Sequence, residues 1–342
     1  MTAAAGIALA LLAGILNGSF AAPTRYTTRW KWENIWALWA FTAFFVVPWI
    51  IALSTVPSLF SVYGAAGWRA LWLLIVFGAG YGITVPCFGL GVDALGIALN
   101  FAIAIGLSTA LGSLVPLLTQ HREQVFTSKG IAVLTGIGIT LLGIVVCAAA
   151  GKAREKQLRL KNTAAANGTT RSFGVGLTFA IVAGLGSPLV NFGLAYGDPV
   201  LKAAAAQGAS VAAQSNAVWP PLLTATLIPY LIYCAYLWRK NRSFGLFFAP
   251  GTSKYWLLGA LMGALWMGSI ALYGTASTTM AGMGPVLGWP LFMSAIIITS
   301  NVWGFATGEW RGVRRNTVTV MGAGMLLLIA GFCVLAYASS VR

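Results

Sequence analysis

The sequence predicts an all-α membrane protein in which ten transmembrane helices form two inverted-topology repeats of five helices. Three observations lead to this fold class. The 342 residues are 58% hydrophobic and only 8% charged, with a mean hydropathy of +0.83, whereas soluble domains carry about 25% charged residues. Ten apolar stretches are each long enough to cross a bilayer. Short motifs of the first half recur in the same order in the second half.

The ten stretches are identified by their length. A helix that crosses the hydrocarbon core needs about 20 mainly apolar residues, because each residue rises about 1.5 Å through about 30 Å. The first stretch lacks the positively charged start of a signal peptide, so we predict a membrane helix there. The predicted spans, numbered 1 to 10 in chain order, cover roughly 3–23, 34–54, 70–90, 95–118, 130–150, 173–196, 214–238, 255–274, 284–305 and 317–338.

The net charge of +15 is distributed unevenly over the loops. Most of the 21 basic residues fall between spans 1 and 2, 5 and 6, 7 and 8, and 9 and 10, which lie on one side of a ten-helix arrangement. Cytoplasmic loops carry such an excess of Lys and Arg. We therefore predict a multi-pass inner-membrane protein, with basic loops in the cytoplasm and both termini outside. This pattern indicates the lipid bilayer, and not nucleic acid, as a partner.

The internal repeat predicts how the helices are arranged. Because five is an odd number, the second copy would enter the membrane upside down. Inverted repeats are typical of secondary transporters, in which the substrate site lies near the midplane and rocking alternates access. We predict a first repeat over 1–150, a basic cytoplasmic linker over 151–172 and a second repeat over 173–342. The matched motifs are Ala13-Gly14-Ile15 with Ala183-Gly184-Leu185, Pro48-Trp49 with Pro229-Tyr230, Gly78-Ala79 with Gly263-Ala264, and Gly136 and Gly138 with Gly322 and Gly324.

The six acidic residues lie at predicted helix ends or in loops. Ionisable groups in the membrane core are costly and therefore usually functional. Without a carboxylate near the centre of any predicted span, a cationic substrate and a mid-membrane proton carrier are both disfavoured. Hydrolytic or metal chemistry also needs such groups in a pocket. We therefore predict no enzymatic activity, no metal and no cofactor.

Uncharged amides and aromatic residues fall within the spans instead. Amide side chains offer paired donors and acceptors that suit vicinal hydroxyls, and Tyr and Trp offer a flat apolar face with a polar edge. Together they favour a small neutral polyhydroxy solute. Interhelical bonding by the amides and an interfacial belt of tryptophans are the alternative interpretations. The predicted substrate-binding residues are Asn17, Tyr81, Asn100, Asn191, Gln214, Asn216, Trp219, Trp266 and Asn301.

Tyr81 and Trp266 occupy equivalent positions near the centres of spans 3 and 8. An aromatic pair on the pseudo-two-fold axis of an inverted repeat would lie at the substrate site. We therefore expect these two rings to form a clamp around the ligand.

Several motifs suggest a family. Trp30-Lys31-Trp32-Glu33 follows Ala22-Pro23, an alanine-rich loop runs from Lys202 to Gly208, and Glu309-Trp310 precedes Arg314-Arg315. With these motifs in register over the whole chain, it resembles the bacterial L-rhamnose–proton symporter family, a branch of the drug/metabolite transporter superfamily. The resemblance implies the drug/metabolite transporter fold and proton-driven uptake of a 6-deoxyhexose.

The leading functional interpretation is a secondary active transporter that imports a neutral sugar by proton symport with alternating access. L-Rhamnose or a related 6-deoxyhexose or hexose is the expected cargo, and the proton is the expected second partner. Asp93 and Glu33 are the candidate proton-coupling residues. A metabolite or drug exporter of the same superfamily and a proton-independent sugar facilitator are the alternatives. A membrane-embedded enzyme or a non-transporting subunit is disfavoured.

Overall fold

The computed structural model describes residues 3–161, 172–280 and 283–340, and these residues form helices and connecting turns without a β-strand. The α-helices are α1 (Ala3–Ser19), α2 (Trp32–Phe41), α3 (Val47–Thr55), α4 (Leu59–Ala66), α5 (Trp68–Leu95), α6 (Ile97–Gln120), α7 (Ser128–Lys161), α8 (Phe173–Gly186), α9 (Leu189–Ala195), α10 (Asp198–Ala206), α11 (Trp219–Asn241), α12 (Ser253–Thr279), α13 (Gly284–Ala306) and α14 (Arg315–Ser340).

Ten helical stretches of the described chain are long and apolar enough to cross a membrane, which confirms the predicted number. Large apolar side chains face outward on them; Ile50 is 60% exposed and Leu326 is 67% exposed, as contact with lipid requires. The spans are Ala4–Tyr26, Trp32–Thr55, Trp68–Leu95, Leu99–Gln120, Ser128–Leu158, Phe173–Ala206, Trp219–Asn241, Ser253–Thr279, Gly284–Ala306 and Arg315–Ser339.

Spans 2 and 6 are interrupted rather than continuous. A π-helical turn at Thr42–Val46 separates α2 from α3, and Pro48 follows it without an N–H for the preceding turn of helix. In span 6, α8 ends at Gly186 and α9 begins after Ser187 and Pro188, and a second break separates the end of α9 at Ala195 from the start of α10 at Asp198. Proline accompanies each of these interruptions, since Pro199 lies in the first turn of α10.

Span 5 extends beyond its predicted end. We expected the helix to stop near residue 150, but α7 continues to Lys161, because Arg, Glu, Lys and Gln favour a helix once it leaves the hydrocarbon. The first part of the predicted linker 151–172 is therefore helical, and residues 162–171 lie outside the described residues.

The chain divides into two compact units, each with segments from both halves of the sequence. Unit 1 comprises Met1–Ile83 and Leu189–Gly284, and unit 2 comprises Thr84–Pro188 and Pro285–Arg342. The boundary passes through α5. The repeats predicted over 1–150 and 173–342 divide the chain in another way, and they stay a prediction.

Glycines allow close helix crossings within unit 1. α1 and α2 pack against α12, and α2 also packs against α11. A Cβ added at Gly78 would lie 1.9 Å from the carbonyl oxygen of Leu222, and one added at Gly263 would lie 2.5 Å from the Cβ of Thr42. Only a residue without a side chain fits at either crossing.

In unit 2 the main contact joins α7 and α14. A Cβ at Gly136 would meet Leu335, one at Gly143 would meet Leu328, and one at Gly324 would meet Cys147. Residue numbers rise on one helix as they fall on the other, so α7 and α14 run antiparallel.

Candidate functional site

An aromatic cluster lies within unit 1, and its fully buried Phe44 contacts four other rings. The ring of Phe44 is 5.1 Å from that of Trp266, 6.3 Å from Tyr81 and 6.1 Å from Tyr230, each time with its plane steeply inclined. Trp39 contacts Trp266 at 5.7 Å with an interplanar angle of 82°. Edge-to-face pairs of this kind are favourable packing. The two rings expected as a clamp, Tyr81 and Trp266, thus contact the same phenylalanine.

The cluster includes polar edges that are buried without a partner. Trp39 Nε1 and Tyr230 Oη have no hydrogen-bond partner among the described residues, although Trp39 is 2% exposed and Tyr230 is fully buried. Trp219 Nε1, at the start of α11, is also buried without a hydrogen-bond partner among the described residues. Leaving a buried donor unpaired costs about 1–3 kcal/mol. Oxygen atoms of a bound ligand would satisfy these groups.

Trp39, Phe44 and Tyr230 were not among the predicted site residues. Tyr230 follows Pro229 in one of the repeated motifs, which was the only sequence signal that pointed to it. Trp39 lies just before the π-helical turn and Phe44 lies within it, and the sequence does not reveal this turn.

The predicted amides of unit 1 are mostly engaged between elements of that unit. Asn17 Nδ2 donates to Ser269 Oγ at 2.8 Å and so joins α1 to α12. Asn216 Nδ2 donates to Thr55 Oγ1 at 3.0 Å, while its Oδ1 has no partner within the described chain. Asn191 Oδ1 accepts a hydrogen bond from the hydroxyl of Tyr273. Gln214 donates only weakly, to the carbonyl of Ala209 at 3.4 Å.

Asn100 and Asn301 belong to unit 2. Asn100 is fully buried and donates to the carbonyl of Phe88 at 3.1 Å, while its Oδ1 has no partner in the described part of the chain. Asn301 donates to the carbonyl of Ile297 within its own helix at 2.9 Å, and its side chain lines a cavity of unit 2.

The two candidate proton-coupling residues differ in burial. Glu33, in the first turn of α2, is 2% exposed and accepts hydrogen bonds from Asn241 Nδ2 at 2.9 Å and from Ser243 Oγ. Glu33 forms no salt bridge within the described residues. Asp93, near the end of α5, is exposed. The position of Glu33 at a helix end was predicted, but its burial was not.

The residues on either side of Glu33 in this segment donate hydrogen bonds to backbone carbonyl groups at and just after the end of α11. Lys31 Nζ donates to the backbone carbonyl of Asn241 at 3.1 Å, and Asn34 Nδ2 donates to the carbonyl of Ser243 at 3.0 Å. The start of α2 is therefore tied to the end of α11 by several hydrogen bonds around one buried carboxyl group.

Comparison with known proteins gives one consistent result. The profile of the L-rhamnose-proton symport protein family (RhaT) matches residues 2–339. Relatives from Escherichia coli strain 55989 / EAEC, Escherichia coli O8 strain IAI1 and Shigella dysenteriae serotype 1 strain Sd197 are each 24% identical over 333 residues, which is 95% of this chain and 94% of theirs. All three are named L-rhamnose-proton symporter, and so as transporters rather than enzymes. The chain therefore belongs to the L-rhamnose-proton symport protein family.

Proposed function

We propose that this protein imports L-rhamnose, or a related 6-deoxyhexose or hexose, by proton symport with alternating access. Family membership supports proton-coupled sugar import. The observation that carries the choice of cargo is the aromatic cluster of unit 1 with its unpartnered polar edges at Trp39 and Tyr230. The flat aromatic rings can stack on the C–H face of a sugar. The unpaired polar groups of Trp39 and Tyr230 can each form a hydrogen bond with a sugar hydroxyl.

The proposed substrate site combines the predicted and the observed residues. Tyr81 and Trp266 would stack on the sugar after Phe44 moves from between them, and Trp39 and Tyr230 would bond its hydroxyls. The amides of Asn17, Asn191 and Asn216, with Gln214 and Trp219, would complete this site within unit 1. Asn100 and Asn301 belong to unit 2 and are proposed as substrate contacts there.

Glu33 is the proposed proton-coupling residue. A buried carboxylate is costly unless it is hydrogen-bonded, and the two side chains that donate to Glu33, Asn241 and Ser243, are both neutral. Adding a proton removes the charge and weakens both bonds, which join the start of α2 to the last residue of α11 and to the turn that follows it. Protonation would thereby alter the packing of two spans, as coupling requires. Asp93 is exposed, so a change in its charge would not alter the packing of the spans in this way.

The proposed architecture is the drug/metabolite transporter fold of two inverted repeats, 1–150 and 173–342, joined by the linker 151–172. The directions of equivalent helices support this fold, because an inverted repeat makes each helix antiparallel to its equivalent. Span 2 runs antiparallel to its equivalent, span 7, in unit 1, and span 5 runs antiparallel to its equivalent, span 10, in unit 2. Span 1 packs on span 8 within unit 1. The repeat makes span 6 equivalent to span 1 and span 3 equivalent to span 8, so the corresponding contact is that of span 3 with span 6. This contact lies within unit 2, where a Cβ at Gly186 would meet Thr84.

Uptake into proteoliposomes tests the proposal. With an inward proton gradient, labelled L-rhamnose should accumulate above its outside concentration, and a protonophore should abolish the accumulation. Equilibration without accumulation would indicate a facilitator. Failure of L-rhamnose, L-fucose and common hexoses to enter at all would contradict the proposed cargo.

A further inference from the structure

A cavity of about 250 Å³ lies within unit 2, between α6, α7, α13 and α14. Pockets for drug-sized ligands measure about 300–1,000 Å³, so this cavity suits a smaller molecule. Its polar lining is concentrated near the ends of α7 and α13, where the basic loops begin. The polar residues are Arg154, Glu155, Ser300, Asn301, Glu309 and Trp310.

Arg154 and Trp310 are held in place by contacts within unit 2. Arg154 Nη2 donates to Glu309 Oε2 at 3.0 Å, and the guanidinium lies 5.3 Å from the centre of the Trp310 ring. Phe305 stacks on the same ring at 4.9 Å with an interplanar angle of 21°. An ion pair, a cation–π contact and a ring stack thus fix both side chains at the cavity wall.

Each of these two side chains has a buried hydrogen-bond donor without a partner. Arg154 Nε and Trp310 Nε1 find no acceptor among the residues that the structure describes, and Trp310 is 6% exposed. Both side chains line the cavity, and each has one donor that no acceptor of the described chain uses. Such donors call for oxygen acceptors, since an unpaired buried donor is unfavourable.

The charges of the lining identify the kind of acceptor. One arginine and two glutamates line the cavity, so a further carboxylate or phosphate would add negative charge beside Glu155 and Glu309. A hydroxyl group avoids this conflict, because its oxygen accepts from Arg154 or Trp310 while its hydrogen is donated to a carboxylate. The rest of the wall, including Phe101, Ile105 and Ile297, is apolar and suits C–H and methyl groups.

From this geometry we propose that the cavity of unit 2 is a second binding site for the transported monosaccharide, separate from the aromatic cluster of unit 1. The inference rests on the proposed function for the identity of the ligand. Arg154 Nε and Trp310 Nε1 donate to sugar oxygens, and Glu155 and Glu309 accept from sugar hydroxyls. Asn301, one of the predicted substrate-binding residues, lies on the wall of this site.

Two adjacent alanines of α7 give a matched test. Ala148 lines the cavity, whereas Ala149 is exposed on the outer face of the helix. Ala148→Phe fills the cavity, and Ala149→Phe adds the same ring outside it. We expect labelled L-rhamnose to bind with two molecules per chain in the wild type and in Ala149→Phe, measured on purified protein in lipid nanodiscs, but with one molecule per chain in Ala148→Phe.

Trp310→Phe serves as a second variant that keeps an aromatic ring for Phe305 and Arg154 but lacks the Nε1 donor. It should weaken one of the two sites by up to about tenfold, as expected for one neutral hydrogen bond. If the wild type and Ala148→Phe both bind one rhamnose per chain and uptake is intact, the second site is overturned. The proposed function is then unaffected. Absence of binding and uptake in the wild type overturns both. A lipid that copurifies with the wild type and Ala149→Phe, but not with Ala148→Phe, also overturns the sugar site.

Discussion

Single side chains of unit 1 combine burial with unused polar atoms, which sets them apart from an ordinary packed core. Tyr230 is fully buried among Trp39 and Phe44, yet its hydroxyl has no partner within the described residues. Phenylalanine would pack there without this penalty. The hydroxyl therefore costs stability, and in the proposed site it contributes to sugar binding instead.

Tyr230→Phe should separate these two effects. Removing an unpaired hydroxyl should raise the free energy of unfolding by about 1 kcal/mol or more, while rhamnose affinity falls by up to about tenfold because one hydrogen bond is lost. Scanning fluorimetry of the purified protein and equilibrium binding measure the two quantities. Tyr236→Phe is the control, since Tyr236 lies on the same helix but is 56% exposed. A variant that is both less stable and unchanged in affinity would remove Tyr230 from the site.

Glu33→Gln should uncouple uptake from the proton gradient. Glutamine keeps the size of the side chain but cannot change charge, so gradient-driven accumulation should fall to the level of equilibration while exchange of labelled for unlabelled rhamnose continues. Asp93→Asn, at an exposed position, should leave both activities unchanged. Equal loss of accumulation and exchange in Glu33→Gln would assign Glu33 a purely structural role in joining α2 to α11.

The types of polar residue inside the membrane could be predicted from the sequence, but their pairing could not. Asn17 and Asn191 were both proposed as sugar contacts, yet Asn17 bonds Ser269, 252 positions away, and Asn191 bonds Tyr273, 82 positions away. Such distant partners depend on how the helices pack. Residue type alone gives neither the partner nor the atoms that are left unpaired.

At the scale of helices, hydropathy identifies the spans because the bilayer imposes their length and composition. All ten predicted spans are confirmed. Hydropathy does not reveal the π-helical turn at Thr42–Val46, because the apolar sequence continues through it. It also does not reveal the helical continuation of α7 to Lys161, because charged residues end the span without ending the helix.

Gly78 offers a test of close helix packing within unit 1. A Cβ there would lie 1.9 Å from the backbone oxygen of Leu222, which cannot turn aside as a side chain can. Gly78→Ala should therefore lower the free energy of unfolding by about 1–3 kcal/mol. Gly106→Ala is the matched control, since a Cβ at Gly106 meets no atom within 4 Å, and alanine should stabilise that helix by about 0.5–1 kcal/mol. Equal thermal unfolding midpoints for the two variants would contradict the crossing.

The whole molecule combines two divisions of the chain. The proposed repeats divide it in sequence, and the compact units divide it in space, with each unit containing helices from both halves. Gly78 on span 3 contacts Leu222 on span 7, and its matched residue Gly263 on span 8 contacts Thr42 on span 2. When each residue is replaced by its equivalent in the other repeat, the first contact becomes the second, and the positions agree to within one residue. The proposed inverted repeat would account for this correspondence, because it would bring equivalent helices together in opposite directions.

The proposed orientation of the molecule is tested with two exposed phenylalanines. Phe126 precedes α7 and is 91% exposed, and Phe248 precedes α12 and is 74% exposed. Three spans separate them, so they should lie on opposite sides of the membrane. In a cysteine-free background, Phe126→Cys should react with an impermeant maleimide in spheroplasts, and Phe248→Cys should react only in inside-out vesicles, because the basic loops are retained in the cytoplasm. Reversed labelling would invert the orientation and keep ten spans; labelling of both from the same side would contradict the number of spans between them.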